Sequence, residues 1–279
     1  MAKTSITTDT EHLIATEEDG IAVLTMNRPE RRNALSGPML DGMAKALDHA
    51  ERSASVRCVV ITGTGGAFCA GGDVKGMAEA GASGGGGGRS PTLDERIHTQ
   101  RLSQRNTAGR IYLMPKPVIA MLPGPAAGAG LSIALACDLR IMADNAIITT
   151  AFAKVGFSGD YGGTLFLSRL VGSGKARELY YLSDRVDAAE CLRLGIANRV
   201  VPAARLEEET MAVARRLAAG PSIAYRYMKE NFNRAAAGGD VLECLDLEAT
   251  HHQHTGQTED HRNAAKAFVE RREPEFNGR

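Results

Sequence analysis

The sequence predicts an α/β protein whose C-terminal part is entirely helical. Units of strand, glycine-rich turn and helix recur as far as about residue 200, which is typical of a layered α/β fold. Beyond residue 205 the apolar residues follow helical spacing and no strand is evident. With 279 residues the chain is long enough for one large domain with an appended piece. We therefore expect two domains, residues 1–205 and residues 206–279.

The composition argues against several classes of partner. The 33 basic and 33 acidic residues cancel to a formal net charge of zero, so neither nucleic acid nor an anionic membrane surface is expected to bind. No apolar run approaches the ~20 residues of a membrane span. The first 20 residues lack the apolar core of a signal peptide, and we expect a cytoplasmic protein.

Cysteine and histidine usage gives no sign of a metal site. The five cysteines are odd in number and scattered without a Cys-x-x-Cys pair, which indicates reduced, mostly buried thiols. Four histidines are close in sequence near the C-terminal end, and we interpret them as a solvated or interface cluster. These histidines are His251, His252, His254 and His261.

The first 60 residues predict an edge region, a strand and a helix. Residues 1–20 are polar and predict a loose arm with a short edge strand. Residues 21–26 alternate weakly and predict a strand. Ser36 is a suitable N-cap for a helix with apolar residues at helical spacing.

A glycine-rich segment and a long helix follow the next strand, residues 58–63. Residues 76–91 contain five consecutive glycines and predict a surface loop that is mobile or acts as a lid. Residues 93–114 predict a helix that Pro115 stops. The buried positions of this helix are expected to be Ile97, Leu102, Ala108 and Ile111.

Residues 117–138 are the segment around which the chain is organised. Residues 117–122 predict a buried strand, and residues 126–138 predict a helix that opens through small residues. The first four N–H groups of a helix lack intrahelical acceptors and carry partial positive charge. With little side-chain bulk around them, these donors can approach an oxygen that becomes negative during a reaction.

A second strand ends in a similar glycine-rich turn. The backbone around Ala70, Gly71 and Gly72 is free of bulk, like that after residue 122. Two such donors from separate strand ends can form an oxyanion hole. The alternative is that both glycine groups are only tight turns. Neither is a nucleotide-binding fingerprint, since no Gly-x-Gly-x-x-Gly opens a helix and no Lys-Ser/Thr follows a glycine loop.

The remaining elements are short strands and many helices. Residues 139–143 and 146–152 predict strands, and a glycine-rich turn then holds Asp160. Asp187 is a suitable N-cap for the helix that follows it. The helices expected after this turn are 165–170, 174–182, 188–194, 206–219, 222–233, 241–252 and 258–270.

Five segments resemble the crotonase family, the enoyl-CoA hydratase/isomerase superfamily. They span nearly the whole chain in family order. The segments are MNRPERRNAL (26–35), GGAFCAGGDVKGM (65–77), GPAAGAGLSIALACDLRI (124–141), GFSGDYGGTLFLSRLVG (156–172) and AFVERREP (267–274).

The resemblance implies an α/β spiral of ββα units with a C-terminal helical oligomerisation domain, which would form a homotrimer or a dimer of trimers. It implies a coenzyme A thioester as substrate and no separate cofactor, because coenzyme A is part of that substrate. It also implies that the main-chain N–H groups of Gly72 and Ala129 hold the thioester oxygen. The coenzyme A pocket would involve Arg32, Ala34, Ala70, Gly72, Asp73, Val74, Lys75 and, from the same or a neighbouring subunit, Phe268 and Arg271.

The carboxylates of the family's hydratases are absent from this chain. Hydratases use two glutamates, and the corresponding positions here hold Ser132 and Phe152. Asp160 is the remaining candidate, because its context resembles the acid-bearing turn of the family's isomerases, including the ring-epoxide phenylacetyl-CoA isomerase. Aromatic residues around that turn could raise the pKa of the carboxyl group. These are Phe152, Phe157, Tyr161 and Phe166.

We therefore expect an enzyme that shifts a double bond in an acyl-CoA by 1,3-proton transfer, with Asp160 as base. Two alternatives remain: a hydratase that holds water with Asp160 and Ser132, and an inactive acyl-CoA-binding paralogue. The bland interpretation of Asp160 is a turn residue that caps the helix starting near Gly163. That of Ser132 is a hydroxyl bonded back into its own helix.

Overall fold

The computed structural model describes residues 3–73 and 89–279. The expected pocket residues Val74 and Lys75 lie outside the described residues, as does the run of five glycines at 84–88. In the described part, strands alternate with helices as far as residue 201 and only helices follow. The order of elements therefore agrees with the expected α/β region and its helical continuation.

The strands of the described residues form two sheets. The larger has seven strands in the order β1-β2-β3-β4-β5-β7-β10, antiparallel from β1 to β3 and parallel from β3 onward. The smaller has the order β6-β8-β9. The strands are β1 (Thr4–Ile6), β2 (Leu13–Glu18), β3 (Ile21–Met26), β4 (Cys58–Gly63), β5 (Val118–Leu122), β6 (Ala126–Ala127), β7 (Leu139–Ala143), β8 (Ile147–Thr149), β9 (Val186–Asp187) and β10 (Arg199–Val201).

The helices of the described part are defined by their caps and their breaks. They are α1 (Gly37–Arg52), α2 (Leu93–Gln104), α3 (Arg110–Leu113), α4 (Gly128–Ala136), α5 (Gly163–Leu182), α6 (Ala188–Arg193), α7 (Leu206–Ala218), α8 (Ser222–Ala236), α9 (Val241–Gly256) and α10 (Glu259–Glu270). The side chains of Ser36 and Asp187 accept hydrogen bonds from Met39 N and Glu190 N, which confirms both predicted N-caps. Helix α5 is interrupted at Gly172, whose backbone is not helical.

The parallel strands are apolar because both of their faces are covered. Strand β4 is buried from Cys58 to Thr62, and β5 is buried at four of its five positions. Helix α7 packs against β3, β4, β5 and β7, while α1 packs against β2 and β3. Continuous apolar runs are what parallel strands between helical layers require. These strands hold the loops of the candidate site on a rigid base.

Several predicted elements differ from the structure. The first 20 residues contain two paired strands, β1 and β2, where a single short edge strand was expected. The helix predicted for 126–138 begins only at Gly128, because Ala126 and Ala127 pair with β8 as β6. The strand predicted for 146–152 ends at Thr149, and Phe152 lies in the loop beyond it.

The helix predicted for 93–114 is divided. Residues 105–109 form a π-type turn between α2 and α3. Ala108 and Ile111 are buried as expected, but Ile97 and Leu102 are exposed and the prediction for them is wrong. Helix α2 has no buried residue in the described chain, so its apolar positions have no core to face.

Two polar anchors join the C-terminal helices to the sheet and to the tail. The Lys229 ammonium on α8 donates to Asp138 Oδ2 at 2.9 Å and to the carbonyl oxygens of Ile111 and Lys116. The Asp260 carboxylate on α10 accepts hydrogen bonds from the main-chain N–H groups of Asn277 and Gly278.

Among the helices of the described residues, none combines the length and the hydropathy that crossing a membrane demands.

Candidate active site

Two loops run side by side beyond the carboxyl ends of β4 and β5. Cys69 and Ala126 form a parallel bridge, in which Ala127 N donates to Cys69 O at 2.9 Å. Gly72 lies three residues after Cys69, and Ala129 lies three residues after Ala126. The two expected donors therefore lie the same number of residues beyond the bridged pair, on adjacent backbone segments.

Glycine at position 71 allows this close approach. The φ angle of Gly71 is +90°, and a Cβ atom there would lie 2.8 Å from Ala127 O and 3.4 Å from Ala129 N. No L side chain fits that space without movement of the backbone. Just beyond, Gly72 bridges Leu35, whose N–H donates to Gly71 O at 2.7 Å. In a parallel bridge of this kind the N–H of Gly72 points away from Leu35 and is not used in that pairing.

The second donor belongs to the uncapped N-terminus of α4. The residue before the helix is Ala127, and no side chain makes a capping hydrogen bond there. Ala129 is buried, so its N–H is shielded from bulk water. An N-terminal helix amide without a side-chain acceptor is a strong donor for an incoming oxygen.

A cavity of about 480 Å³ brings both expected donors together with the expected base. Gly72, Ala129 and Asp160 all contribute to its wall, although they come from three separate segments. Phe152 and Phe157 also line it, whereas Tyr161 and Phe166 are buried and do not line it. The full set of lining residues is Ala70, Gly72, Gln100, Gly128, Ala129, Ala151, Phe152, Val155, Phe157, Ser158, Gly159 and Asp160.

Asp160 is carried on a turn of unusual backbone conformation. Its neighbours Gly159, Tyr161 and Gly162 all have positive φ angles, of +113°, +48° and +76°. Gly162, not Asp160, is the N-cap of α5, and no side chain caps that helix. The capping interpretation of Asp160 is therefore wrong. Its Oδ1 atom is buried and has no hydrogen-bond partner among the described residues.

The environment of Asp160 favours its protonated form. Burial removes water from the carboxylate and raises the pKa of Asp160 to about 6. A buried polar atom without a partner is costly, and in native proteins such atoms cluster at functional sites. A carboxyl group with this pKa can accept and return a proton near neutral pH.

The two positions of the hydratase glutamates are occupied by groups that cannot replace them. The Ser132 hydroxyl donates to Gly128 O at 3.3 Å, which confirms the interpretation of Ser132 as a hydroxyl bonded back into its own helix. Ser132 also hydrogen-bonds the phenol of Tyr180. Gly163 makes room for both hydroxyls, since a Cβ atom there would lie 2.3 Å from Ser132 Oγ and 2.4 Å from Tyr180 Oη. Phe152 stacks on the Tyr180 ring.

Part of the expected coenzyme A pocket lies along the edge of the cavity. Ala70 lines the cavity, and its N–H donates to Arg32 O at 3.0 Å. Arg32 is exposed and Ala34 is buried. The guanidinium of Arg28 donates to Ala34 O and to Asp73 Oδ2, at 2.7 and 3.1 Å. Hydrogen bonds therefore link Arg32 to Ala70 directly and Ala34 to Asp73 through Arg28.

Phe268 and Arg271 are not part of this cavity. Phe268 is 85% exposed, and Arg271 follows the end of α10 with a φ angle of +57°. Within one chain these two residues and the cavity are not brought together.

The histidine cluster also differs in part from its interpretation, because His251 is buried and its Nδ1 lies 2.6 Å from Asn231 Oδ1.

Sequence reasoning missed three polar residues at or behind the site. Gln100 lines the cavity, Gln104 accepts a hydrogen bond from Tyr161 N, and Tyr180 lies behind Phe152. Gln100 and Gln104 are four residues apart on α2 and so share one face of that helix. This spacing was the signal available in the sequence, but nothing in it indicates which segment the face meets.

A larger cavity lies elsewhere in the described chain and contains none of the expected catalytic residues. It measures about 670 Å³ and lies between strands β2 to β5 and helix α7. Charged groups on its rim include Glu18, Glu207 and Arg215. Size alone therefore does not identify the site, and the choice of the smaller cavity rests on Gly72, Ala129 and Asp160 in its wall.

Comparison with known families gives one match over most of the chain. The profile described as enoyl-CoA hydratase/isomerase matches residues 16–279. A probable enoyl-CoA hydratase of Rhodobacter capsulatus is 36% identical over 261 residues, which cover 94% of this chain and 96% of the relative. The 1,2-epoxyphenylacetyl-CoA isomerase of Escherichia coli is 33% identical over 270 residues, covering 96% and 99%.

Solved structures share the fold. The crystal structure of an enoyl-CoA hydratase from Bacillus anthracis matches with a TM-score of 0.86 at 30% identity, covering 96% of this chain and all of that one. The crystal structure of a putative enoyl-CoA hydratase from Streptomyces coelicolor A3(2) matches with a TM-score of 0.88 at 33% identity, covering 96% of this chain and 94% of that one. The expected α/β spiral of the crotonase type is thereby confirmed.

Proposed function

The chain belongs to the enoyl-CoA hydratase/isomerase family, and we propose that within it the protein is an isomerase that moves a double bond along an acyl-CoA with Asp160 as base. The observation that carries the proposal is the half-buried Asp160 carboxyl group, whose buried Oδ1 has no hydrogen-bond partner among the described residues, in the cavity that Gly72 and Ala129 also line. No separate cofactor takes part, because coenzyme A belongs to the substrate.

In the first step the thioester oxygen accepts hydrogen bonds from the N–H groups of Gly72 and Ala129. These donors stabilise the charge that develops on the oxygen when a proton leaves the carbon next to the carbonyl. Removal of one such donor typically costs ~10²–10³ in rate. The paired register of the two loops supports this role for both amides.

In the second step one carboxylate moves one proton between two carbons. With a 3-enoyl-CoA, Asp160 removes a proton from C2, and the electron pair of that bond passes into a dienolate held by the two amides. The same carboxyl group returns the proton to C4, while the double bond moves from C3–C4 to C2–C3. Nothing is added or lost, so no second acid is required. The raised pKa of Asp160, about 6, suits both halves of this transfer.

The hydratase alternative needs a group that activates water opposite the proton donor. Ser132 is committed to Gly128 O and to Tyr180, and Phe152 has no proton to exchange. A serine hydroxyl is a poor base, and this one has no neighbouring base among its contacts that could take a proton from water. These contacts favour isomerisation over hydration.

A two-substrate assay tests the proposal. Purified protein receives 3-hexenoyl-CoA in one experiment and 2-hexenoyl-CoA in another, with the absorbance of the conjugated thioester followed in both. We expect absorbance to rise with the first substrate and to stay constant with the second. A fall with the second substrate would establish hydration. Constant absorbance with both substrates, in a protein that still binds coenzyme A thioesters, would favour the inactive acyl-CoA-binding paralogue.

We extend the proposal to assembly, with residues 206–279 forming the contacts of a homotrimer or a dimer of trimers. Large apolar side chains are exposed on α8, α9 and α10, and isolated chains rarely leave so many uncovered. These side chains are Met228, Phe232, Val241, Leu242, Leu245, Phe268 and Val269. Light scattering after size-exclusion chromatography measures the mass directly, and a monomer would contradict this assembly.

A further inference from the structure

We propose that Gln104 is a positioning residue that aims the Asp160 carboxylate into the cavity by holding the main chain of Tyr161. This inference rests on the proposed function, because it gives Gln104 a role in the proton transfer by Asp160. Gln104 does not line the cavity and is not expected to touch the substrate.

The contact is a single short hydrogen bond from one segment to a distant one. Tyr161 N donates to Gln104 Oε1 at 2.7 Å, across 57 residues of sequence. A second contact joins the same two segments, because the Tyr161 phenol and the Ser103 hydroxyl lie 3.0 Å apart. Two consecutive residues at the end of α2 therefore hold both the backbone and the side chain of Tyr161.

The held residue is in a conformation that side chains other than glycine rarely adopt. Tyr161 has a φ angle of +48°, between Gly159 and Gly162, whose φ angles are also positive. Such a conformation persists only where surrounding contacts over-determine it. The Gln104 oxygen is the contact that satisfies the Tyr161 N–H, so its loss frees the turn to relax.

The direction of the Asp160 carboxylate depends on that turn. Oδ1 is buried and has no hydrogen-bond partner among the described residues, so no side chain fixes its orientation through that atom. The backbone that carries Asp160 must therefore supply the aim. The π-type turn at 105–109 begins directly after Gln104, and such turns occur frequently at functional sites.

Two substitutions of nearly equal size separate positioning from packing. Gln104→Leu keeps the bulk and removes the acceptor. Gln104→Glu keeps an oxygen that accepts from Tyr161 N. Gln253→Leu, at an exposed glutamine of α9 that does not line the cavity, is the matched control for the leucine variant. Each variant is assayed as the whole protein with 3-hexenoyl-CoA, after circular dichroism has verified its fold.

We expect Gln104→Leu to lower kcat by about 10- to 100-fold with little change in KM, because small misplacements of a catalytic group have costs of this order. Gln104→Glu should restore most of kcat and move the midpoint of the pH–rate profile upward, because a second carboxylate near Asp160 disfavours ionisation. The titratable neighbours that sense the Asp160 charge are the phenols of Tyr161 and Tyr180, whose pKa values burial raises, so they remain neutral in this range. Gln253→Leu should behave like the unaltered protein.

Equal kcat in Gln104→Leu and the unaltered protein would overturn the inference, as would a loss that Gln104→Glu does not restore. If Gln104→Leu does not fold, Gln104→Met replaces it, since methionine also lacks the acceptor oxygen at a similar size. We expect the same loss in kcat at nearly constant KM; unchanged kcat in that variant would overturn the inference. Asp160→Asn distinguishes the two proposals: if it keeps full activity, the proposed function fails, whereas if it is inactive and Gln104→Leu is not impaired, only the positioning role fails.

Discussion

The rings of Phe152 and Tyr180 stack nearly parallel, with centroids 5.7 Å apart and an interplanar angle of 12°. Phe152 occupies the position of an expected hydratase glutamate, and Tyr180 places its hydroxyl beside Ser132, which occupies the other. Neither Phe152 nor Ser132 supplies a carboxylate at these positions. Phe152 and Asp160 both line the cavity, which agrees with the proposal that a single carboxylate transfers the proton.

The first prediction concerns the pH dependence of turnover. Because burial raises the pKa of Asp160 to about 6, the carboxylate that acts as base is half-formed near that pH. We expect kcat/KM for a 3-enoyl-CoA to rise with pH through a midpoint near 6 and to level above it. Stopped-flow or steady-state rates across the acidic range measure this. A rate that is constant between about pH 5 and 7 would be inconsistent with Asp160 as base.

The second prediction concerns the stability that the same carboxyl group costs. The pKa of Asp160 is higher in the folded chain than the ordinary 3.8. The carboxyl group therefore ionises first in the unfolded chain, and the free energy of unfolding is highest below pH 3.8 and falls as the pH rises to about 6. Asp160→Asn stays neutral at every pH. We expect it to be more stable than the unaltered protein at neutral pH, by about 1 kcal/mol after allowance for solvent screening.

Urea unfolding of both proteins on either side of this pH window tests the second prediction. The difference in unfolding free energy should disappear at the acidic end, where both side chains are neutral. A constant difference would assign it to packing instead. A stabilised but inactive variant is the expected signature of a strained functional site.

The third prediction concerns the approach of the two donor loops. Gly71→Ala introduces a Cβ atom 2.8 Å from Ala127 O at a φ angle of +90°. The loops must separate, and the amides of Gly72 and Ala129 no longer converge. We expect kcat/KM to fall by ~10²–10³, the loss typical of one missing oxyanion donor.

Gly66→Ala is the control for the third prediction. Gly66 lies on the same loop with a φ angle of +71°, and a Cβ atom there would meet nothing within 4 Å. It reproduces the backbone strain without the collision. Similar losses of kcat/KM in the two variants would show that backbone strain, and not separation of the two expected donors, causes the loss.

The fourth prediction concerns the attachment of α8 to the sheet. Lys229→Met removes the cationic partner of the Asp138 carboxylate, which keeps only the Val118 N–H as a donor to Oδ2, and removes the Lys229 donor from two carbonyl oxygens. Removal of one partner of a buried ion pair typically costs about 3 kcal/mol or more, and we expect a loss of that order in unfolding free energy. Lys175→Met breaks a surface pair with Glu178 and should cost less than about 1 kcal/mol. Equal losses in both variants would contradict a special role for Lys229.

The part of the site that the sequence predicts is the part that local patterns encode. Small residues directly after apolar strands predict backbone donors near residues 70–72 and 126–130, and the family resemblance assigns the expected roles to Gly72, Ala129 and Asp160. Ser36 and Asp187 as caps follow from preferences of the adjacent backbone. Each of these depends on a few consecutive residues, so one sequence is enough to identify it.

The parts that were missed depend on contacts between distant segments. Gln104 accepts a hydrogen bond from Tyr161 N, 57 residues away in sequence, and the Tyr180 ring on α5 stacks on Phe152. Ile97 and Leu102 show helical spacing but are exposed, because periodicity identifies a face without showing what covers it. Gln104 carries no motif, and only the fold assigns it a neighbour.

The central claim is that Asp160 transfers the proton, and the most direct measurement is the turnover of 3-hexenoyl-CoA by Asp160→Asn. The substitution preserves shape and removes the base. We expect kcat to fall by at least ~10²–10⁴, the usual contribution of a positioned acid–base group, while coenzyme A thioester binding persists in a calorimetric titration. Turnover equal to that of the unaltered protein, with binding intact, would contradict the account.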